Sequence, residues 1–177
     1  SAGTERWKAT IADLLLQASV NNAAKALESL AAAPQIAWRA WADSAAADNA
    51  ANRVPPVVEP LDMAQVMLSV ERLVPGNTVY TNGAGNYSGW LHRYWRYRGL
   101  GSQLSPTSGA MGYGIPAAIA ANLLLPGRCV VAFTGDGDGL MTVQELATAR
   151  AHGARPIVVL VDNASYGTIR MHQEREF

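Results

Sequence analysis

The sequence lacks the features that define several classes of protein. It has one cysteine in 177 residues, Cys129, so no disulfide can form within the chain, and a reducing, cytoplasmic setting is expected. Its 14 basic residues are balanced by 14 acidic ones, which leaves no electrostatic case for nucleic acid or an anionic membrane as a partner. No apolar run approaches the ~18 residues of a membrane span. These absences favour a soluble globular protein.

Prolines mark a boundary in the chain. Residues 1–51 are rich in alanine with helical periodicity and have no strands of their own to pack on, so they are predicted to be the helical tail of a middle domain. Pro55, Pro56 and Pro60 cannot continue a helix, which predicts an extended linker over residues 52–60. Residues 61–177 form the next domain.

Strand and helix signals alternate in this second region. The predicted strands are short apolar or β-branched runs at residues 78–81, 129–134 and 157–161. The helix between the last two is predicted to open with a capping box of Thr142 and Glu145 and to close at Gly153. The alternation predicts an α/β fold with a doubly wound parallel sheet, preceded by the helical segment and truncated on its C-terminal side.

Polar residues follow the last two predicted strands. Asp136, between Gly135 and Gly137, comes after one strand, and Asn163 follows the next. The carboxyl ends of parallel strands lie at one edge of a sheet, where ligands bind. One carboxylate and one amide oxygen suit a hard cation such as Mg²⁺, which would in turn hold a phosphate.

The glycine-rich turn around Asp136 has other interpretations. The stretch from Asp136 resembles the start of an EF-hand, but Leu140 at the fifth position and Ala147 at the twelfth exclude that loop. Neither the dinucleotide-binding fingerprint nor the P-loop occurs in the chain. An acidic βα turn without a ligand stays open on this motif alone.

The motifs taken together resemble one family. They are Gly135-Asp136-Gly137 with Asn163 one crossover later, Thr107–Ala118, Gln144–Ala149 and Tyr166–Ile169. As a set they are similar to those of thiamine diphosphate-dependent enzymes, most of all the acetolactate synthase-like branch. The resemblance covers at least residues 61–177 and implies the thiamine diphosphate-binding fold, with thiamine diphosphate and Mg²⁺ as cofactors.

The resemblance also implies site residues. Asp136, Asn163 and the backbone carbonyl of Ser165 would bind Mg²⁺, and diphosphate and water would complete the octahedron. The Gly109 carbonyl would accept a hydrogen bond from the aminopyrimidine, and Met111 would hold the cofactor bent. The diphosphate contacts would come from Asn86, Tyr87 and the backbone N–H groups of Gly137, Asp138, Gly167 and Thr168.

Three positions depart from the family pattern. Asp162 precedes Asn163 where an asparagine is usual, which leaves the metal-binding position intact. Asp138 is expected to place a second carboxylate beside the diphosphate and to weaken its binding. Gly139 stands where an aromatic residue is common and is expected to loosen the local packing.

No catalytic residue is assigned in this chain. In the family, a glutamate from the pyrimidine-binding domain of a partner subunit activates the cofactor, and nothing here matches that domain. Glu71 and Glu145 fall within predicted helices and are interpreted as structural. The basic and aromatic run from His92 to Arg98 is predicted to lie on a helix at a subunit interface rather than to bind nucleic acid.

The implied reaction is decarboxylation of a small-molecule 2-oxo acid followed by carboligation to a second carbonyl, in a homodimer or homotetramer. This chain would supply the diphosphate and magnesium half of the site and would be inactive alone. A simple 2-oxo acid decarboxylase of the benzoylformate decarboxylase type and a non-catalytic cofactor-binding or assembly fragment are the alternatives.

Overall fold

The computed structural model describes residues 18–30, 37–54 and 61–177. The chain divides into two compact units, Ser1–Asn49 and Ala50–Phe177. The elements are, in chain order, α1 (Val20–Leu30), α2 (Arg39–Asn52), α3 (Met63–Leu73), β1 (Val79–Asn82), α4 (Tyr87–Tyr94), β2 (Gln103–Leu104), α5 (Gly114–Leu124), β3 (Val130–Gly135), α6 (Asp136–Leu140), α7 (Glu145–His152), β4 (Ile157–Val161) and α8 (Gly167–Glu176). None of the described helices is both long and apolar enough to cross a membrane.

The helical prediction for the first part of the chain agrees with α1 and α2, where these residues are described. Residues 1–17 and 31–36, and residues 55–60 of the predicted linker, lie outside the described ranges. Trp38 and Trp41 are 64% and 73% exposed, so these two apolar side chains are not buried within the described residues. The assignment of this part to a middle domain stays a prediction.

The second unit is built on a parallel sheet with the strand order β2-β1-β3-β4. All six residues of β3 are buried, as expected for a central parallel strand covered on both faces. Apolar side chains alternate between those faces. Val131 and Phe133 pack with α3 and α4, whereas Val130 and Ala132 pack with α5. The predicted α/β fold with helices on both faces of a parallel sheet is confirmed.

Aromatic side chains fill the core on the α3 and α4 side. Trp95 lies between Tyr80 and Phe133, with ring centroids 5.2 Å and 5.4 Å apart, in the tilted and edge-on arrangements that aromatic pairs prefer. Tyr94 and Trp95 are 2% and 5% exposed. The predicted helix over the run from His92 to Arg98 is therefore wrong in part, because α4 ends at Tyr94 and Trp95 lies in the core, while the subunit interface stays a prediction.

The helices α3 and α7 begin in different ways. Asp62 caps α3, and its carboxylate accepts a hydrogen bond of 2.8 Å from the N–H of Ala64. The capping box of Thr142 and Glu145 does not form. α7 begins at Glu145 without a side-chain cap, because the Thr142 hydroxyl instead donates to the carbonyl of Gly112, 2.9 Å away.

Candidate functional site

The segments that follow β1, β3 and β4 line one cleft, with a volume of about 230 Å³. From β1 the chain runs out to β2 and then returns to β3 on the other side of β1. The connections after β1 and β3 therefore leave the sheet in opposite directions. Open α/β sheets bind ligands at such a switch point, outside the carboxyl ends of the strands.

Nearly all of the predicted site residues line this cleft. They are Asn86, Tyr87, Met111, Asp136, Gly137, Asp138, Asn163, Ser165, Gly167 and Thr168. Gly109 is the exception, since it is exposed and does not line the cleft. The fold thus brings together residues that are far apart in sequence, while the role of each stays a prediction.

The predicted metal ligands lie on the segments after β3 and β4. Asp136 is the first residue of α6. The Asn163 side-chain oxygen accepts a 3.1 Å hydrogen bond from the N–H of Ser165, and the Ser165 carbonyl accepts one of 2.8 Å from Gly167. Between them, Ala164 has a φ of 51°, a left-handed conformation that is uncommon outside glycine. These bonds fix the turn and leave each oxygen a second lone pair.

The donor set suits a hard cation. A carboxylate, an amide oxygen and a backbone carbonyl are the ligands that Mg²⁺ takes, usually with phosphate and water. The described residues hold no group of three His, Cys, Asp or Glu side chains that could bind a metal by themselves. No Lys, Arg or His is among the described residues lining the cleft, so a diphosphate there needs a cation to offset its charge.

Asn86 connects the segment that follows β1 with the segment that follows β4. Its side-chain oxygen accepts a 3.0 Å hydrogen bond from the hydroxyl of Thr168, in the first turn of α8. A Cβ added at Gly167 would lie 3.2 Å from the amide nitrogen of Asn163, so the backbone and this side chain are already close. Three of the predicted diphosphate contacts, Asn86, Gly167 and Thr168, therefore lie next to one another and to the predicted metal ligand Asn163.

Asp138 does not project beside the predicted diphosphate position as the sequence suggested. It is 2% exposed, and its carboxylate accepts hydrogen bonds from the Tyr87 hydroxyl (2.7 Å), the Thr134 hydroxyl (2.7 Å) and the Gly112 N–H (2.6 Å). Burial, followed by the hydrogen bond to Asp138, raises the pKa of Tyr87 well above its ordinary value. The expected repulsion between this carboxylate and a diphosphate is therefore not supported.

Gly139 does not loosen the packing. It is buried, and a Cβ added there would lie 3.1 Å from the hydroxyl oxygen and 3.2 Å from the methyl carbon of Thr134. A larger side chain would displace Thr134, which binds Asp138. Glycine at position 139 therefore leaves space for the side chain of Thr134.

The sequence reasoning assigned no role to Tyr166 or Trp90, which also line the cleft. A Cβ added at Gly137 would lie 2.6 Å from the Tyr166 ring, so this ring packs directly on the Gly137 backbone. Tyr166 lies within a motif noted for the family, and its position next to Gly167 was the available signal. Trp90 carries no comparable signal, because its place depends on how α4 packs.

A family model described as the thiamine pyrophosphate enzyme C-terminal TPP binding domain matches residues 83–177. The chain belongs to this family. The match includes the segments that line the cleft after β1, β3 and β4. The predicted family and its cofactor, thiamine diphosphate, are thereby confirmed.

Individual relatives agree with this assignment. The chain is 39% identical to an acetolactate synthase large subunit of Lactococcus lactis over 56% of its length, and 36% identical to that of Parasynechococcus marenigrum over 68%. A solved thiamine diphosphate-dependent 4-hydroxybenzoylformate decarboxylase from Rhodococcus jostii RHA1 superposes with a TM-score of 0.62 and 28% identity, over 68% of this chain and 23% of that one. The chain spans only 17% and 19% of the length of the two synthases.

Proposed function

We propose that this chain supplies the diphosphate- and magnesium-binding half of the active site of a thiamine diphosphate-dependent enzyme. Its reaction is the decarboxylation of a 2-oxo acid with carboligation to a second carbonyl, as in an acetolactate synthase-like enzyme. The observation that carries the proposal is the cleft itself. It gathers a carboxylate from the segment after β3 and an amide and a turn carbonyl from the segment after β4, with no basic side chain among its described lining residues.

Each part of the cleft has a task in this proposal. Asp136, Asn163 and the Ser165 carbonyl hold Mg²⁺, and the backbone N–H of Gly137 binds a phosphate oxygen, helped by the first turn of α8. The Gly167 N–H, which donates to the Ser165 carbonyl, shares its hydrogen with another phosphate oxygen. Asn86 and Tyr87, with the N–H groups of Asp138 and Thr168, complete the diphosphate contacts. Bound thiamine diphosphate supplies a carbon nucleophile and an electron sink for decarboxylation.

The pyrimidine side of the cofactor is proposed to lie toward Met111, which lines the cleft and is 39% exposed. The Gly109 carbonyl would accept a hydrogen bond from the aminopyrimidine. The glutamate that activates the cofactor is expected from the pyrimidine-binding domain of a partner subunit in a cytoplasmic homodimer or homotetramer. Glu71 and Glu145 do not line the cleft, which agrees with the structural role proposed for them.

A simple 2-oxo acid decarboxylase is the second candidate, favoured by the likeness to the 4-hydroxybenzoylformate decarboxylase. Product analysis distinguishes the two, because a decarboxylase releases an aldehyde and a carboligase an acetohydroxy acid. A protein that binds cofactor but converts no 2-oxo acid even when a pyrimidine-binding domain with the activating glutamate is present would support the third possibility, a non-catalytic cofactor-binding or assembly role.

Calorimetric titration of thiamine diphosphate into the intact protein, with and without Mg²⁺, tests the binding site. We expect binding that requires Mg²⁺ and that Asp136→Ala abolishes. Glu174→Ala removes an exposed carboxylate from α8 as a control and should leave binding unchanged. Mg²⁺-independent binding, or full binding by Asp136→Ala, would contradict the ligand assignment.

A further inference from the structure

The carboxylate of Asp138 joins three separate segments of the cleft. One oxygen accepts from the Gly112 N–H, and the other accepts from the hydroxyls of Tyr87 and Thr134. These partners lie in α4, at the end of β3 and in the connection before α5. We call Asp138, Tyr87, Thr134 and Gly112 the Asp138 cluster.

All the hydrogen bonds of the Asp138 carboxylate are accepted by it. The Tyr87 oxygen accepts from the N–H of Gly83 at 2.8 Å and donates its own hydrogen to one oxygen of Asp138, as the Thr134 hydroxyl does. The Gly112 nitrogen can only donate, and it binds the other oxygen. Both oxygens therefore accept, which a carboxylate allows and an amide of the same shape does not.

The chain leaves space for this arrangement. A Cβ added at Gly83 would lie 2.1 Å and 2.4 Å from the two carboxylate oxygens of Asp138. Such distances are far inside van der Waals contact, so alanine at position 83 would displace the carboxylate. The Gly83 backbone both makes room for Asp138 and donates to its partner Tyr87.

The segments joined by the cluster carry the proposed cofactor contacts. Gly112 follows Met111 on the pyrimidine side, and its carbonyl is held by Thr142. Tyr87 follows Asn86, which binds Thr168 on the diphosphate side. We infer that Asp138 is a positioning residue, an inference that rests on the proposed function. Asp138 holds the pyrimidine-side and diphosphate-side segments at a fixed separation before the cofactor binds.

Asp138→Asn tests this inference, with Glu71→Gln as the matched control. Both replace a buried carboxylate by its amide, but Glu71 lies outside the cleft. In the intact protein with Mg²⁺, we expect Asp138→Asn to weaken thiamine diphosphate binding by about ten-fold or more, the loss typical of a hydrogen bond to a charged group. Glu71→Gln should lower the melting temperature and leave the Kd of thiamine diphosphate unchanged.

A double-mutant cycle separates positioning from general destabilisation. Tyr87→Phe should weaken cofactor binding less than Asp138→Asn, and the loss in the double variant should be smaller than the sum of the two single losses, because either change removes the hydrogen bond between Tyr87 and Asp138. All variants are compared at a temperature where circular dichroism shows them folded.

The outcomes are distinguishable. Binding by Asp138→Asn equal to that of the wild type, at whatever melting temperature, would overturn the inference and leave the proposed function intact. Additive losses in the cycle would overturn the coupling between Asp138 and Tyr87. A wild-type protein that does not bind thiamine diphosphate with Mg²⁺ would instead contradict the proposed function.

Discussion

Two buried carboxylates in the second unit are stabilised in opposite ways. Glu71 of α3 binds cations, with its oxygens 3.1 Å from Arg53 and 3.6 Å from Arg98, and also accepts from the N–H of Arg96 at 2.9 Å. Asp138 binds only neutral donors and forms no ion pair within the described ranges. One carboxylate is neutralised, and the other is held without a counter-charge.

The difference follows from location. We call Glu71, Arg53, Arg96 and Arg98 the Glu71 cluster. Arg53 also donates to the carbonyl of Tyr94, so this cluster fastens the end of α4 and the segment after it onto α3, outside the cleft. In the proposed site, a cationic side chain next to Asp138 would compete with Mg²⁺ for the diphosphate. Neutral donors fix the geometry there without adding a positive charge.

The largest effect is expected from breaking the Glu71 cluster. Glu71→Ala leaves the guanidinium groups of Arg53 and Arg98 without their anion, and the Arg53 side chain is only 14% exposed. The substitution should therefore lower the free energy of unfolding by about 3–5 kcal/mol. Denaturant titration measures this loss. Glu174→Ala, in the exposed Arg170–Glu174 pair, is the control and should cost less than about 1 kcal/mol. Equal losses would show that burial of the Glu71 cluster adds nothing.

A methyl group added at Gly83 should disturb the other cluster. Gly83→Ala forces the Asp138 carboxylate away from its donors and should cost about 1–3 kcal/mol of stability, with weaker cofactor binding. Gly89→Ala is the matched control, because Gly89 lies in α4 with nothing within 4 Å of an added Cβ. Alanine there should be neutral or stabilising by up to about 1 kcal/mol. Denaturant titration and cofactor titration of both variants measure the contrast.

Sequence patterns predicted the parts of the fold that depend on local signals. The strands β1, β3 and β4 follow from apolar runs, and the cleft follows from polar residues directly after them. β2 was missed because it consists of two residues, Gln103 and Leu104, with no apolar run. Its strand character comes from pairing with β1, which no local pattern encodes.

The orientation of side chains in the site could not be predicted in the same way. Asp138 turns inward because Gly83, more than fifty positions earlier, leaves space for it and because Tyr87 and Gly112 supply donors. The Thr142 hydroxyl likewise donates to the Gly112 carbonyl instead of capping α7 as predicted. Each outcome depends on contacts between distant segments, whereas the sequence offered only the local alternative.

Two tyrosines report on the two clusters. Burial, then the charges of Tyr97 and Glu71, raises the pKa of Tyr80 to about 12. Burial, followed by the hydrogen bond to Asp138, also raises the pKa of Tyr87. A tyrosine with a higher pKa in the folded state than the ~10 of the unfolded chain contributes stability that is complete below about pH 10. For Tyr80 this contribution is lost as the pH rises toward about 12, so stability should fall across that window.

The smallest effect is therefore a change in tyrosine ionisation. Asp138→Asn should lower the pKa of Tyr87, because it removes the hydrogen bond that ranks next to burial as a cause of the shift. Glu71→Gln should lower the pKa of Tyr80 by less, since Glu71 is the weakest of its three causes. Tyrosinate absorbance, followed to about pH 12, measures the ionisation of Tyr80 and detects that of Tyr87 as its pKa falls toward this range. Tyr87→Phe and Tyr80→Phe identify the two transitions. A larger shift in Glu71→Gln than in Asp138→Asn would show that charge at a distance, rather than a direct hydrogen bond, controls these hydroxyls.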